Sequence, residues 1–301
     1  MTPLVTYHAN SFNNLYLLKN LLLSFEICNV YDNFEWVITD YGSTDGSRDF
    51  LFEMSKDKRW LTLLLSDEKD YFKFLESRDL RPITYRQVIA SIFGKAINEA
   101  RAVSKGDVFI HLATDHQFIR KGNWVEDMLS VIDHREITTG KRDISSILYR
   151  GLSHHRINKP NNERYPIKIS ENGTEYYVAM HKHYDDYHLM LREVFEDIGD
   201  YFQIDDEKDK EMLKKWRTGV DCKTHYTDYL QRTKDMGYFK VFLKYPYVVD
   251  FPNDTHQILN VPRDSRRGTI CPIFDSDLLI DAFKNLNRPV STDEILVLAS
   301  K

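Results

Sequence analysis

Two aspartates stand at positions where a carboxylate can bind a ligand. The apolar run 36–39 predicts a buried strand that stops at Asp40, and the run 108–113 predicts another strand that leads to Asp115. In open α/β sheets, ligands bind at the carboxyl ends of the strands. Asp40 is followed by a turn in which Gly42 and Gly46 supply backbone conformations that other residues resist. The same turn is also compatible with an ordinary connection between a strand and a helix.

These aspartates must be positioned by alternating strands and helices. Further strands are predicted over 4–7 and 60–65, and helices over 15–25, 49–56 and 86–105. The last helix has the clearest pattern, because its apolar residues recur on one face. Strands that alternate with helices are typical of a parallel sheet. The predicted fold class is therefore α/β, with a mostly parallel central sheet flanked by helices.

The composition indicates a globular protein without a nucleic-acid partner. The chain has 301 residues, of which 42% are hydrophobic, and a formal net charge of −5. That charge offers no electrostatic basis for binding nucleic acid. Three widely spaced cysteines argue against a disulfide framework or a zinc site. The sequence shows no secretion signal and no apolar run of the roughly 20 residues that a membrane span needs, so we expect a cytoplasmic protein, with peripheral membrane association left open.

The second half of the chain predicts strands of a different arrangement. A strand is expected over 143–150, a hairpin with an Asn-Gly turn over 166–180, and a strand over 241–249 that ends at Asp250. Histidines and aspartates cluster over 181–188 and could bind a metal. No second spacing pattern supports that site, which favours a polar loop.

The order and spacing of these features resemble the family-2 glycosyltransferases, which have the GT-A fold. The resemblance rests on a Thr-Tyr pair in the first strand, the Asp40 turn, and the run 94–98 followed by 105–110. It spans approximately residues 3–250. It implies inverting transfer of a sugar from a nucleotide-diphosphate sugar to a hydroxyl acceptor, such as a glycan.

The resemblance also implies a division of the chain by role. A Rossmann-like, nucleotide-sugar-binding half would cover 1–140, and an acceptor-binding and catalytic half with a smaller mixed sheet would cover 141–260. Residues 261–301 would form a C-terminal loop and helical tail of the same continuous domain.

The base and ribose of the donor have three implied contacts. By the resemblance, Thr6 and Tyr7 would lie against the base, and Asp40 would hold the base and ribose. Tyr7 could instead pack under the edge of the sheet. Because ligands favour this edge, the donor contact is the preferred interpretation.

The diphosphate of the donor has further candidate contacts. Thr114 lies at the end of a predicted strand, and Lys95 lies on the helix that precedes that strand. Arg266 and Arg267 could clamp a diphosphate through paired hydrogen bonds. Each of these three cations could also simply face water, as most lysines and arginines do.

A divalent metal, Mn²⁺ or Mg²⁺, is the cofactor that the resemblance implies. A diphosphate needs such a cation, and hard cations prefer carboxylate oxygens. The family carries an Asp-X-Asp motif where this chain has Ala113 and Asp115, so only the second acid, the implied metal ligand, is present. Asp250 or His256 would complete the metal site. His116 could contribute as well, or be a hydrogen-bonded bystander.

The catalytic base implied by the resemblance is Asp221. The family has an acidic pair before a helix, and here Val220 replaces its first member. Asp221 could also act as the N-cap of that helix, and the two roles are compatible.

Two other functions remain open. A sugar nucleotidyltransferase would have a glycine-rich, basic phosphate loop after the first strand, and residues 6–10 contain none. A catalytically inactive nucleotide- or carbohydrate-binding protein is favoured by Ala113 and Val220, which stand where acids are expected.

Overall fold

A computed structural model gives the fold of the protein. It describes residues 2–66, 85–140, 144–146, 167–179, 189–201, 229, 232–233, 235–245 and 247–250. The helices are α1 (Leu15–Cys28), α2 (Ser47–Asp57), α3 (Tyr85–Val103), α4 (Trp124–Thr139) and α5 (Arg192–Ile198). The strands are β1 (Val5–Ser11), β2 (Phe34–Tyr41), β3 (Leu61–Ser66), β4 (Val108–Ala113), β5 (His116–Phe118), β6 (Ile144–Ser146), β7 (Lys168–Ile169), β8 (Glu175–Ala179), β9 (Leu189–Leu191), β10 (Lys240–Leu243) and β11 (Val248–Asp250).

The described residues form two compact units, and the division falls within β4. The first unit contains the described residues of 1–13, 34–109 and 192–237. Its strands lie in the order β3-β2-β1-β4, and both β1–β2 and β2–β3 pair in parallel. Helices α2 and α3 connect successive strands of this sheet. The predicted α/β fold with a mostly parallel central sheet is therefore confirmed.

Two strands of the first unit run further than their sequence patterns predict. The first was expected to end at Tyr7 and ends at Ser11, because the polar side chains of His8 and Asn10 are buried within it. The second continues through Asp40, which pairs with Ser11 in the register of β1 and β2. The carboxyl edge of this sheet is therefore formed by residues 10–11 and 40–41.

The second unit contains the described residues of 14–33, 110–191 and from 238 onward. Its larger sheet has the strand order β4-β9-β6-β10-β8-β7, in which β6 and β10 are parallel and the pairs β6–β9, β8–β10 and β7–β8 are antiparallel. The predicted hairpin is confirmed as β7 and β8, with Gly173 in the left-handed conformation (φ 87°). The mixed sheet expected in the later part of the chain is also present.

The expected strand over 241–249 was wrong, because two strands replace it. The first, β10, lies in the larger sheet, and the second, β11, pairs with β5 in a separate two-stranded sheet. Arg120 holds the connection between them. Its guanidinium donates to the backbone oxygen of Tyr245 (3.0 Å) and lies 3.5 Å from the centre of the Tyr247 ring. The chain therefore changes sheet after Leu243.

Aromatic side chains dominate the core of the second unit. Phe25 of α1 packs against Phe118 and Trp124, with ring centres 5.4 and 6.1 Å apart, and Trp124 also packs against Tyr247. Cys28 is buried and unpaired. No helix among the described residues is long and apolar enough to cross a membrane. The predicted division of the chain by role at residues 140 and 260 stays a prediction.

Candidate functional site

Asp40 lies at the carboxyl edge of the first unit's parallel sheet, and both of its carboxylate oxygens accept hydrogen bonds. Oδ1 accepts hydrogen bonds from the Ser43 amide (3.1 Å) and from Arg48 Nε (2.9 Å), and Oδ2 accepts one from Ser43 Oγ (2.5 Å). The side chain is fully buried. A carboxylate has about four acceptor positions, so three are filled from its own loop and helix. A contact between Asp40 and a donor base stays a prediction, and because the side chain is fully buried it requires these partners to move.

Asn13, which follows β1, forms hydrogen bonds to the same loop. The backbone amide of Asn13 donates to Ser43 Oγ (3.0 Å), and its side-chain Oδ1 accepts the backbone amide of Thr44 (2.8 Å). Asn13 is the one described non-glycine residue with a positive φ, 47°. Asparagine tolerates this conformation better than most residues do. The residue with this uncommon backbone conformation is therefore the one that joins the end of β1 to the β2–α2 loop.

Thr6 and Tyr7 lie in the core of the first unit, and both side chains are fully buried. Thr6 Oγ1 donates to Glu35 Oε1 (2.7 Å) and accepts the Gly106 amide (3.0 Å). Tyr7 stacks on Trp36 with ring centres 5.2 Å apart. This arrangement agrees with the packing alternative for Tyr7. Contact of either residue with a donor stays a prediction that this conformation does not accommodate, because β1 extends four residues beyond Tyr7.

Lys95 of α3 is partly exposed, and its Nζ lies 3.8 Å from Glu99 Oε1. That geometry is typical of a solvated pair on a helix surface. The diphosphate contact proposed for Lys95 stays a prediction. The other candidate cations, Arg266 and Arg267, lie outside the described residues, as do His256, the cluster over 181–188, and both Val220 and Asp221.

The turn between β4 and β5 carries Asp115. Its neighbour Thr114 is buried, and Thr114 Oγ1 accepts a hydrogen bond from Asn14 Nδ2, at the start of α1. His116 is fully buried, and its Nδ1 accepts the amide hydrogen of Ala113 (3.0 Å). The position that lacks the family's first acid therefore contributes its backbone amide to the turn.

Strand β11 places Asp250 next to this turn. In the antiparallel pairing of β5 and β11, Asp250 lies opposite His116, and Val248 lies opposite Phe118. Directly opposed residues in such a pair are about 5 Å apart at Cα. The backbone positions of Asp115 and Asp250 are thus close neighbours, although 135 positions of sequence separate them.

Helix α1 holds β5 through two buried polar side chains. Asn20 Nδ2 donates to Gln117 Oε1 (3.2 Å), and Ser24 Oγ accepts the amide of Phe118 (3.1 Å). Buried polar groups of this kind fix register, because each would be costly to leave unpaired. They set β5 at a defined position along the helix.

A second, partly buried network holds the start of β11. Tyr247 Oη donates to Asp127 Oδ2 (2.5 Å), and Thr174 Oγ1 donates to the other oxygen of Asp127 (3.1 Å). Burial raises the pKa of Tyr247 above its ordinary value, so the phenol stays protonated and able to donate.

Burial also lowers the pKa of His111 in β4 to about 3, which keeps that imidazole neutral near pH 7.

The residues at the β4–β5 turn fit part of a hard-cation site. Carboxylate oxygens are the ligands that Mn²⁺ and Mg²⁺ prefer, and Asp115 and the backbone of Asp250 lie together. Within the described residues, however, no group of three or more histidine, cysteine or acidic side chains is arranged to hold a metal. The described residues therefore supply fewer ligands than a complete coordination sphere.

Sequence reasoning missed Asn13 and left the role of His116 open. Asn13 follows the true end of β1, which the polar pattern obscured. His116 was visible only as a histidine beside an aspartate, a pattern that does not predict which nitrogen accepts a hydrogen bond or from where.

Comparisons with known proteins identify no family for this chain. No family model matches it, and no curated protein matches it. Among solved structures, Staphylococcus aureus TarS 1–349 matches 83% of this chain at 12% identity with a TM-score of 0.49. A mannosyltransferase from Pyrobaculum calidifontis, PcManGT, in complex with GDP-Man and Mn²⁺, matches 100% of this chain and 74% of its own, at 16% identity and a TM-score of 0.46.

A further structure of S. aureus TarS matches 87% of this chain and 41% of its own, at 13% identity and a TM-score of 0.46. This chain spans 61% of the first TarS structure. Similarities this weak do not identify the activity of the chain.

Proposed function

We propose that this chain is an inverting glycosyltransferase, which moves a sugar from a nucleotide-diphosphate sugar to a hydroxyl of an acceptor such as a glycan. The observation that carries the proposal is the β5–β11 pairing, which sets Asp250 opposite His116 and therefore beside Asp115. The resemblance assigns both acids to one metal site from widely separated positions, and an antiparallel ladder brings their backbones together.

The donor nucleotide would bind at the carboxyl edge of β1 and β2 in the first unit. Ser11 and Asp40 pair at that edge, and Asn13 and Arg48 hold the loop that follows. Parallel sheets bind ligands at this edge. We propose that Asp40 acts chiefly by fixing this loop, and that it reaches the base or ribose only if Arg48 or Ser43 releases it.

The diphosphate would be neutralised at the β4–β5 turn. A divalent cation held by Asp115 and Asp250, with His256 as a further candidate, would stabilise negative charge on the departing diphosphate oxygen. Thr114 lies in the same turn and is fixed by Asn14, so its hydroxyl is positioned before a ligand arrives.

Asp221 is the proposed general base, outside the described residues. It would take the proton of the acceptor hydroxyl while that oxygen bonds to the anomeric carbon and the bond to the diphosphate oxygen breaks on the opposite face. Such proton transfer contributes roughly 10²–10⁴-fold to the rate.

A nucleotide-binding protein without turnover is the second candidate. It is favoured by Ala113, where an acid is expected, and by the engagement of Asp40 within its own loop. Hydrolysis or transfer of the sugar nucleotide would exclude it.

Thermal unfolding with UDP, GDP and dTDP, each with and without Mn²⁺, tests the proposal, and CMP, which carries a single phosphate, serves as a comparison. We expect one nucleotide to raise the Tm, because a ligand at 100 times its Kd stabilises the folded state by about 2.7 kcal/mol. Mn²⁺ should increase that rise, because it should lower the Kd of the nucleotide. Asp115→Ala and Asp250→Ala should remove the increment due to Mn²⁺. Asp133→Ala, on the exposed side of α4, is the control and should retain it.

Absence of any nucleotide-induced shift in the wild-type protein would contradict the proposal. A shift in the wild type that both aspartate variants retain would contradict the metal assignment alone. The diphosphate sugar of the nucleotide that raises the Tm should then be consumed in the presence of Mn²⁺, and nucleotide binding without consumption would favour the second candidate.

A further inference from the structure

We infer that His116 is a positioning residue for Asp115: its imidazole closes the β4–β5 turn through the Ala113 amide and so fixes the backbone that presents the carboxylate. The inference rests on the proposed function, because it concerns how the proposed metal ligand is held. The turn spans four residues, and its first amide donates to Nδ1 of its last residue at 3.0 Å.

The bond between Ala113 and His116 is the kind of contact that determines a turn. It links residue i to residue i+3, the same span that a β-turn closes, but here the amide of residue i donates to the side chain of i+3, whereas in a β-turn the carbonyl of residue i accepts the amide of i+3. A partly buried amide left without an acceptor is energetically costly, which favours the closed arrangement over open ones. The conformations of Thr114 and Asp115, the two residues between, are thereby restricted.

The histidine is itself held on both sides. Its backbone lies opposite Asp250 in the β5–β11 ladder, and its side chain is fully buried. The next two residues are fixed to α1 through Asn20 and Ser24. Since the histidine end of the bond cannot easily move, the bond restrains the Ala113 end and the turn that it begins.

The hydrogen bond between the Ala113 amide and His116 matters because position 113 carries no acidic side chain. An acid at that position is expected in the resembling family, and here the side chain is a methyl group that can hold neither metal nor ribose. The single acid of the turn must then be positioned without a carboxylate partner at 113. The imidazole supplies an alternative restraint by accepting the backbone amide.

The chemistry of the acceptor makes the inference testable. Nδ1 can accept a hydrogen only when it is unprotonated, so the proton of the neutral ring is on Nε2. Asparagine carries an oxygen acceptor close to the position of Nδ1, whereas glutamine carries it near Nε2. The variants His116→Asn and His116→Gln therefore separate the position of the acceptor from the presence of a polar side chain.

The experiment measures two quantities on the full chain. The first is hydrogen exchange of the Ala113 amide, by NMR, relative to amides of α4 in the same sample. The second is the Mn²⁺ concentration that half-saturates binding of the nucleotide selected by the thermal-shift panel. The control is His111→Asn, a shortened buried histidine in β4 that lies outside the turn.

We expect His116→Asn to keep Ala113 protected and to bind Mn²⁺ within about threefold of the wild type. His116→Gln should lose protection at Ala113 and weaken the Mn²⁺ dependence roughly 10–100-fold, the range found when a partner that orients a metal ligand is removed. Nucleotide binding without Mn²⁺ should be equal in all variants. The control should lower the Tm but change neither measured quantity.

Equal Ala113 exchange in the wild type and His116→Gln would overturn the inference, because the turn would not depend on the imidazole. Loss of protection with unchanged Mn²⁺ dependence would also overturn it. A wild-type protein with a protected Ala113 amide that binds no nucleotide would instead show that the proposed function has failed, and nucleotide binding that does not depend on Mn²⁺ would show that the metal assignment has failed; in either case the positioning role would fall with it.

Discussion

At the scale of single residues, the Asp40 carboxylate shows how a buried charge is kept in this protein. It is fully buried, and both of its oxygens accept hydrogen bonds, from Ser43 and Arg48. A buried carboxylate without such partners would be far less stable than the same group in water. Arg48 also donates to the backbone oxygen of Ser66 (2.7 Å), so the side chain that neutralises Asp40 also connects α2 to β3.

Removing Arg48 should therefore cost more than removing an ordinary surface cation. We expect Arg48→Met to lower the free energy of unfolding by roughly 1–3 kcal/mol, because it leaves the Asp40 carboxylate with only Ser43 as a donor. Urea denaturation measures the change. Lys56→Met is the matched control on the same helix, since Lys56 pairs with Glu53 in an exposed i,i+3 contact.

The control should cost about 0.5 kcal/mol or less, as exposed ion pairs do. Similar losses in both variants would show that the Arg48–Asp40 pair behaves as an exposed pair. It would also weaken the interpretation of Asp40 as the residue that fixes its loop.

At the scale of elements, the close approach of β1 and the start of β4 depends on a glycine. Gly106 donates its amide to Thr6 Oγ1, and Arg192 Nε donates to the backbone oxygen of Gly106 (2.8 Å). A Cβ at position 106 would lie 2.5 Å from Thr6 Oγ1 and 2.7 Å from the Thr6 backbone nitrogen. One of these contacts is with backbone, so a flexible side chain cannot relieve it.

The expected outcome of Gly106→Ala is a loss of about 1–3 kcal/mol or more, the usual range for overpacking, because β4 must shift from β1. Thermal or urea unfolding gives the value. The matched control is Gly140→Ala at the end of α4, where φ is 74° and nothing lies within 4 Å of the added Cβ. It should cost only about 1–2 kcal/mol, from backbone conformation alone.

A smaller loss for Gly106→Ala than for Gly140→Ala would mean that β1 and β4 separate easily. The bonds of Thr6 to Glu35 and Gly106 would then contribute little to the sheet.

At the scale of the whole molecule, the proposed reaction draws on residues from distant parts of the chain. The acids at the β4–β5 turn and in β11 both belong to the second unit, although they lie far apart along the chain. The proposed base, Asp221, lies outside the described residues. The role of Asp221 as the base therefore rests on the resemblance, and the kinetics of a variant test it.

We expect Asp221→Asn to lower kcat roughly 10²–10⁴-fold, because an amide cannot take a proton from the acceptor hydroxyl. The Kd of the nucleotide should stay unchanged. Asparagine caps helices about as well as aspartate does, so the substitution preserves the alternative N-cap role. Steady-state kinetics and a nucleotide titration give the two numbers, and an unchanged kcat would leave Asp221 as a helix cap only.

Much of the fold follows from local patterns. The apolar periodicity of α3, the alternation of strands and helices, and the Asn-Gly hairpin each depend on neighbours within a few residues. The N-cap of α4 is another local feature, in which the Asn123 side chain accepts the Glu126 amide. Such features are determined by the sequence itself, because the interacting groups are close along the chain.

The ends of strands and the partners of buried polar groups were decided only by the tertiary structure. Polar residues suggested that β1 stops at Tyr7, yet His8 continues the strand within the core, with its Nε2 3.4 Å from Thr39 Oγ1. Likewise, nothing local shows that the chain leaves one sheet after Leu243, or that Asp250 lies opposite His116. A polar side chain does not specify which distant group will satisfy it, and that choice is made only when the strands are brought together.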